Sequence, residues 1–229
     1  MELLTTGNPK MIKGEKMGYM SFILHLAPAN ISGYNTCPMA SFGCMAGCLN
    51  TSGRGIYQRT QDARIRRTQM FFAQRDTFMQ WLIDDILAGI RKAERHGLIP
   101  VFRLNGTSDI RWENVHIDDY GRTIFDRFAC VQFYDYTKLP NRKDIPSNYH
   151  LTFSLSEDND LDAVKTVMDG RNVAVVYRKV PTSTSWWPVG QLTVIDGDEH
   201  DLRFLDPKGV IVGLKAKGKA RKDMSGFVK

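Results

Sequence analysis

The chain has 229 residues, with 31 lysine and arginine residues, 25 aspartate and glutamate residues and a hydrophobic fraction of 42%. This length and composition are typical of one globular domain and exclude a small disulfide scaffold or a disordered tail. No uncharged apolar stretch approaches the roughly 20 residues that cross a bilayer, and the N-terminal residues lack the apolar core of a signal peptide. We therefore expect no membrane segment and a cytoplasmic location.

The net charge of +6 is concentrated at the C-terminus. Residues 215–229 contain six basic residues and one acidic residue, which leaves 25 basic and 24 acidic residues in residues 1–214. We therefore divide the chain into a domain at 1–214 and a basic C-terminal tail at 215–229. Lysines separated by glycine and other small residues predict a solvated, partly mobile tail, with binding of nucleic acid as the alternative.

The predicted elements alternate between strands and helices. An apolar run at 18–27 predicts a strand covered on both faces, and residues 57–96 predict two helices with a break near Arg75 and Asp76. Further strands are predicted at 99–104, 130–136, 149–155, 172–178 and 191–196, helices at 119–128 and 160–169, and a loop at 181–190. This repetition predicts a single α/β domain of six mostly parallel strands, as an open doubly wound sheet or a partial (β/α)6 barrel.

A group of arginines with one opposing acid, Asp62, lies on and just before the first of these helices. A solvated helix face is the default interpretation of such a group. Its members are Arg54, Arg59, Arg64, Arg66, Arg67 and Arg75.

Three of the four cysteines lie together in the loop after the first predicted strand. Cys37, Cys44 and Cys48 fall in about thirty residues rich in glycine, asparagine and serine, and a loop of that length in a compact domain is usually functional. Three thiolates so close in sequence can converge on one metal or cluster. Cys130 begins the third predicted strand, which places it at the other end of the sheet as a small core residue.

The cysteine spacing favours an iron–sulfur cluster with an open position. Neither the six-residue nor the three-residue gap matches the CxxC pairs of structural zinc sites, so zinc and ordinary buried cysteines are the alternatives. His25 could supply a fourth ligand, although a histidine inside an apolar strand is more often a hydrogen-bonded core residue.

Polar residues follow every predicted strand, and ligands of parallel sheets collect at the carboxyl ends of the strands. We therefore predict one large site that includes these residues. The residues concerned are Gly106, Thr107, Ser108 and Asp109 after the second strand, Ser154, Ser156 and Glu157 after the fourth, and Asp196 and Asp198 after the sixth.

Two further groups have structural and functional alternatives. The aspartates from Asp196 to Asp206 are predicted to make salt bridges with Arg203 and backbone caps, because the segment lacks a complete calcium-loop pattern. Of the adjacent Trp186 and Trp187, one is predicted to anchor a loop, and the other is a candidate for stacking on a base or ring.

The run NTCPMASFGCMAGCLNTSGRG, followed by RLNGTSDIRWE and VIDGDEHDLRFLD, resembles the phage-borne gene product 88 family over most of residues 7–215. A cysteine triad after the first strand of a partial (β/α) barrel is also similar to the radical S-adenosylmethionine (SAM) superfamily. Two features depart from that superfamily: the spacing is C-x6-C-x3-C instead of CxxxCxxC, and Gly47 replaces the usual aromatic residue before the last cysteine.

The resemblance implies a [4Fe–4S] cluster held by Cys37, Cys44 and Cys48, with SAM chelating the open iron. It also implies that the segment from Gly106 to Asp109 meets the methionine amine of SAM. Ser154, Ser156 and Glu157 would occupy the strand position that meets the ribose.

We therefore expect a radical enzyme of the host cytoplasm that cleaves SAM, acts on an unidentified substrate and needs an electron donor. The first alternative is a SAM-independent cluster protein with a structural, redox or nucleic-acid-binding role. The second is a zinc-stabilised protein that binds nucleic acid through the basic tail and helix.

Overall fold

A sheet of nine strands runs through the part of the chain that the computed structural model describes, residues 2–7, 9–186 and 188–229. The order of the hydrogen-bonded strands is β1-β2-β3-β4-β5-β6-β9-β8-β7. The strands are Leu4–Thr5 (β1), Tyr19–Leu24 (β2), Ile99–Arg103 (β3), Gln132–Thr137 (β4), Tyr149–Ser154 (β5), Val173–Tyr177 (β6), Ser183–Trp186 (β7), Gly190–Asp196 (β8) and Ile211–Lys215 (β9).

Most of the sheet is parallel. Strands β2 to β6, β9 and β8 pair in parallel, whereas β1 pairs with β2 and β7 pairs with β8 in the antiparallel sense. The sheet does not close, because β1 and β7 form its two edges. From β1 to β6 the order follows the chain, and it lacks the central reversal of a doubly wound sheet. The prediction of an α/β domain with a mostly parallel sheet is confirmed, but its count of six strands is wrong.

The helices are Pro9–Glu15 (α1), Phe42–Ala46 (α2), Gln58–Ala73 (α3), Arg75–Arg95 (α4), Ile124–Arg127 (α5) and Asp160–Met168 (α6). The break between α3 and α4 falls at Gln74, close to its predicted position. Helix α4 buries Phe78, Leu82 and Ile86, which recur every four residues and therefore lie on one face. Gly97, at φ +65°, follows the end of α4 in the left-handed conformation that glycine adopts readily.

The two faces of the sheet are covered by different segments. Buried residues of α3 and α4 pack with β2, β3 and β4 to form the main core. On the opposite face, Val101 and Tyr134 pack with Leu202 and Phe204, the residue before the short 3₁₀ helix Arg203–Leu205 and its middle residue. A connecting segment therefore covers the face that α3 and α4 leave open.

Three local predictions differ from the structure. The predicted loop at 181–190 contains β7, and β9 was not predicted at all. The helix expected at 119–128 is reduced to α5, which begins at a capping box formed by Thr123 and Asp126. Trp186 is half-buried on β7 and packs against the core around β6 and β8, whereas Trp187 lies outside the described residues.

The C-terminal segment, residues 216–229, is folded onto the sheet. Ala220, Phe227 and Val228 are buried in a small core with Ala216. Lys229 exchanges two backbone hydrogen bonds with the carboxyl end of β6, donating to Val176 O and accepting from Arg178 N, each at 2.9 Å. The prediction of a solvated, mobile tail is therefore wrong, because its apolar residues pack against the domain.

Cys130 lies in the turn before β4 and is exposed, so its predicted burial in the core is wrong. It precedes the amino end of β4, whereas the other three cysteines follow the carboxyl end of β2. Because β2, β3 and β4 are parallel, Cys130 is at the opposite end of the sheet from the other cysteines, as predicted.

None of the helices in the described residues is long and apolar enough to cross a membrane.

Candidate functional site

The three clustered cysteines lie in one long connection at the carboxyl end of β2, residues 27–57, which we call the cysteine loop. The hydroxyl of Thr36 donates to Ala27 O at 2.7 Å, and Thr36 N donates to Ala29 O at 3.2 Å. Ala27 N in turn donates to Thr68 Oγ1 on α3, at 2.8 Å. These bonds fix the start of the loop between β2 and α3.

Each cysteine has a different local role. Cys37 Sγ lies 3.7 Å from Thr107 O, after β3, and Cys44 lies within α2. Cys48 occupies the N-cap of the 3₁₀ helix Leu49–Thr51, where its sulfur accepts a hydrogen bond from Asn50 N at 3.5 Å. Local turns therefore present the three thiols from three short segments of one loop.

The three thiols are half-buried and influence one another electrostatically. Burial is the main cause that raises the pKa of the Cys48 thiol to about 11, and the nearby Cys44 and Cys37 thiols contribute in the same direction. Burial also raises the pKa of Cys37, with contributions from Asp109 and Cys44. Within the described residues no three His, Cys, Asp or Glu side chains are already gathered closely enough to hold a metal ion. Cys37 and Cys48 therefore favour the protonated thiol form in the metal-free protein.

Glu157 holds the amino end of α2. Its Oε1 accepts a hydrogen bond from Gly43 N at 2.6 Å, and its Oε2 accepts one from Ser41 Oγ at 2.7 Å. A carboxylate at this position satisfies donors that the first turn of a helix leaves free. The structure thus joins Glu157 to the cysteine loop through α2, and both of its oxygens are already hydrogen-bonded.

The segment after β3 packs directly against β2 and the cysteine loop. A Cβ atom on Gly106 would lie 2.5 Å from His25 Nδ1 and 2.6 Å from Ile23 Cγ2, so a larger residue would clash with β2. Gly106 was predicted to be part of the ligand site, but the side chains closest to it belong to β2 and to the residue that follows β2. Thr107 Oγ1 donates to Leu26 O at 2.6 Å, and Ser108 Oγ donates to Asn105 Oδ1 at 2.9 Å.

Asp109 connects three segments. Its backbone N–H donates to Thr36 O at 2.8 Å, next to Cys37. Its Oδ2 accepts a hydrogen bond from Lys138 N at 2.7 Å, and its Oδ1 lies 3.8 Å from Arg142 Nη1. Burial raises the pKa of Asp109. Oδ1 is buried and accepts no hydrogen bond, so the Arg142 guanidinium is the charged group that faces it.

The residues after β5 and β8 are divided between two places. Ser154 Oγ accepts a hydrogen bond from Lys138 Nζ at 2.9 Å, and Ser156 N donates to Asn159 Oδ1 at 2.7 Å. Ser154 is thereby linked through Lys138 to Asp109. Asp196 Oδ1 accepts from Asp198 N at 2.8 Å, and Asp198 binds Lys217 Nζ at 2.7 Å. The predicted site therefore joins the segments after β2, β3 and β5, while Asp196 and Asp198 cap their own loop and hold the C-terminal segment.

The interpretation of the aspartates after β8 as capping and salt-bridge residues is confirmed. Arg203 is fully buried and forms an ion pair with Asp206 at 3.2 Å, while Asp196 caps its own turn. Asp201 pairs with Arg103 on β3.

Buried cations lie beside the cysteine loop. Arg64 on α3 is buried and donates to Asn50 Oδ1, two residues after Cys48. Burial and the charges of Arg64, Arg103 and Arg67 together lower the pKa of His25 to about 3, so His25 is held neutral. The prediction of a solvated helix face is therefore wrong for Arg64. The signal for its burial was present, since Arg64, Thr68 and Phe71 are the buried residues of α3 and recur at helical spacing.

The C-terminal segment covers part of the cysteine loop. A Cβ atom on Gly43 would lie 2.0 Å from Ser225 Oγ and 2.6 Å from Phe227 Cβ, and one on Gly47 would lie 3.0 Å from Ala220 Cβ. Cys44 is half-buried against the same small core. Sequence reasoning missed this contact, because no local pattern links the C-terminus to α2. It also missed Arg142, which lies beside Asp109.

A cavity of about 610 Å³ lies apart from the cysteines, beside β5. Its lining includes Leu139 from the connection between β4 and β5, Leu151 and Phe153 from β5, and Thr166 from α6. None of the four cysteines lines this cavity.

A family model described as gene product 88 matches residues 2–229. No curated protein matches the chain, and no solved structure matches it.

Proposed function

The chain belongs to the gene product 88 family, and we propose that it binds a [4Fe–4S] cluster through Cys37, Cys44 and Cys48 and uses the cluster to start SAM-dependent radical chemistry. The observation that carries this proposal is the placement of three half-buried, electrostatically coupled thiols in one loop at the carboxyl edge of a parallel sheet.

The chemistry of the donors fits a cluster. Thiolates are the usual ligands of iron–sulfur clusters, and three of them leave one iron open to another ligand. The buried Arg64 beside Cys48 adds positive charge that favours the thiolate form needed for iron. When bound, the cluster would supply one electron to SAM, and the chain would supply binding, orientation and a dry environment.

The residues nearest the cysteines support a polar ligand next to the cluster. Asp109 Oδ1 is buried beside Arg142 and accepts no hydrogen bond, and Ser154 lies beside Lys138 Nζ. We assign Asp109 to a donor group of SAM, such as the methionine amine. We assign Ser154 and Ser156, together with the backbone of Gly106, Thr107 and Ser108, to the remaining polar groups of the cofactor.

A SAM-independent cluster protein is the second candidate, and one observation favours it. Glu157, which the family resemblance places at the ribose, already uses both carboxylate oxygens to hold α2. A cluster with a structural or redox role would need the three thiols but no free carboxylate at this position.

The first experiment measures iron and acid-labile sulfide in protein purified without oxygen. We expect about four of each per chain in the wild type, and loss of most of the iron from each of the Cys37→Ala, Cys44→Ala and Cys48→Ala variants. Cys130→Ala is the matched control and should keep its iron. Colourless protein with one zinc ion, or iron that depends on Cys130, would contradict the proposal.

The second experiment separates the two cluster-based candidates. Adding SAM to the reduced protein should change the electron paramagnetic resonance spectrum of the cluster if SAM reaches the open iron. Asp109→Asn, which keeps an acceptor for Lys138 N, should keep its iron content but weaken SAM binding roughly tenfold, the effect of losing one charge-assisted hydrogen bond. A spectrum that saturating SAM leaves unchanged would favour the SAM-independent protein.

A further inference from the structure

Two basic groups that are far apart in the sequence meet beside the cysteine loop. The 3₁₀ helix Gly218–Lys222 carries Lys219, Arg221 and Lys222, all exposed. A Cβ atom on Gly218 would lie 2.7 Å from Ser52 Cβ, and Ser52 is two residues before the exposed Arg54. The C-terminal lysines therefore extend the positive surface that begins at Arg54.

The fold fixes this basic helix in place. Arg178 donates to the backbone carbonyl oxygens of Arg221 and Asp223, on either side of Lys222. Ala220 is buried against Gly47, and Asp223 accepts hydrogen bonds from Ser225 and from Val228 N. A fixed row of cations loses less conformational entropy on binding than a mobile tail would.

The positive charges of this helix are not neutralised locally. Among the described residues, the side chains of Lys219, Arg221 and Lys222 make no ion pair, whereas Lys217 pairs with Asp198 at 2.7 Å. The nearest acid in the chain, Asp223, is engaged by its own turn. The surface is thus suited to a ligand with several negative charges.

Two largely exposed aromatic side chains lie next to segments that contact the C-terminal segment. Phe42, which is 75% exposed, directly precedes Gly43, the residue that packs on Ser225 and Phe227. Tyr57, which is 61% exposed, follows the 3₁₀ helix Gly53–Ile56 that begins next to Ser52. Exposed rings beside a row of cations are the features that bind unpaired bases and phosphates together.

We propose that this surface, formed by Lys219, Arg221, Lys222, Arg54, Phe42 and Tyr57, binds single-stranded nucleic acid. The lysines and arginines contact phosphates, and the two rings stack on bases. The proposal goes beyond the cluster chemistry and is independent of it, because none of these contacts uses a cysteine.

The experiment measures the fluorescence anisotropy of a labelled 20-nucleotide oligo-dT with the full chain, purified without oxygen, at several salt concentrations. We expect binding that weakens as salt rises. The triple variant Lys219→Glu, Arg221→Glu and Lys222→Glu should bind at least tenfold more weakly and should show a shallower salt dependence. The matched control is a triple variant that makes the same change of charge on exposed residues elsewhere. Its oligo-dT affinity should stay within twofold of the wild type. The substitutions are Arg91→Glu, Arg95→Glu and Lys143→Glu.

The rings distinguish base stacking from simple charge attraction. Phe42→Ala combined with Tyr57→Ala should weaken oligo-dT binding several-fold and leave the binding of heparin, a polyanion without bases, unchanged. Equal losses in the two triple variants, or ring variants that bind oligo-dT normally, would overturn the proposal. So would absence of binding at low salt, which would leave an acidic protein as the partner of this surface. Iron content, measured on the same samples, reports separately on the cluster.

Discussion

Glu157 shows how one side chain can be placed in the right region by the sequence and still have a different role. Its position after β5 suggested contact with a cofactor, and the structure does bring it to the cysteine loop. There it accepts hydrogen bonds from Gly43 N and Ser41 Oγ and so fixes the helix that contains Cys44. Loss of Glu157 would therefore act on the cysteines through the backbone of α2.

We expect Glu157→Ala to lower the free energy of unfolding by about 1–3 kcal/mol, because two charge-assisted hydrogen bonds are lost at a half-buried position. Urea titration followed by circular dichroism measures the change. Asp158→Ala, at the exposed neighbouring residue, is the control and should have little effect. Equal stability of the two variants would show that the carboxylate does not hold α2.

The raised pKa of Cys48 predicts slow alkylation in the metal-free protein. A thiol whose pKa is about 11 instead of 9 has about a hundredfold less thiolate at pH 8, and the thiolate is the reactive form. Iodoacetamide at pH 8 should therefore modify exposed Cys130 at least tenfold faster than Cys48, as measured by mass spectrometry of the peptides. The rate at Cys48 should rise about tenfold for each pH unit towards pH 11; a rate independent of pH would contradict this prediction.

At the scale of the elements, Asp135 connects the three neighbouring strands β3, β4 and β5. This fully buried residue of β4 accepts hydrogen bonds from Leu104 N at 3.1 Å, Asn105 N at 2.9 Å and the Tyr149 hydroxyl on β5 at 3.0 Å. Asn105 in turn accepts from Ser108, Ile110 and Trp112. This network holds the segment that carries Thr107 and Asp109 against the cysteine loop.

The pH dependence of stability tests this buried carboxyl. Burial raises the pKa of Asp135 to about 6, although Arg103 opposes the rise, whereas in the unfolded chain the pKa is about 4. Between these values the folded state binds more protons, so the contribution of Asp135 to the free energy of unfolding falls as pH rises from about 4 to 6 and is constant above that.

Asp135→Asn should remove this slope. Relative to the wild type, the variant should gain up to about 3 kcal/mol between pH 4 and pH 7, at about 1.4 kcal/mol per pKa unit. Urea titrations at each pH measure the free energy of unfolding of the variant and of the wild type. Subtracting one pH profile from the other cancels the contribution of Asp206, whose pKa burial also raises to about 6. A difference that does not change with pH would show that Asp135 titrates normally in the folded protein.

For the whole molecule, the sequence was most informative where structure is local. Strands β2 to β6 and β8 were predicted because each is a short apolar run bounded by turns. Strand β9, which follows the turn at Gly209 and leads directly into the lysine-rich end, was not predicted.

The contacts that shape the candidate site are long-range. Glu157 lies 114 residues from Gly43 in sequence, and Phe227 and Val228 pack near Cys44 from the other end of the chain. No periodicity encodes such pairs. One feature of the sequence did indicate the C-terminal contact. Phe227 and Val228 form an apolar pair within a basic segment, and such a pair favours packing against the domain over exposure to solvent.

This packing predicts that the C-terminal segment protects Cys44. Phe227 is buried beside Cys44, and Phe227→Ala should lower the free energy of unfolding by about 3 kcal/mol, as is usual for removal of a buried aromatic side chain. It should also raise the rate at which iodoacetamide modifies Cys44 in the folded, metal-free protein. Met224→Ala, in the same segment but at a 91% exposed position, should change neither quantity. The contrary result is a Phe227→Ala variant that folds and loses stability while Cys44 reacts as slowly as in the wild type. That result would show that the C-terminal segment does not shield this thiol and that another part of the chain controls access to the cysteine loop.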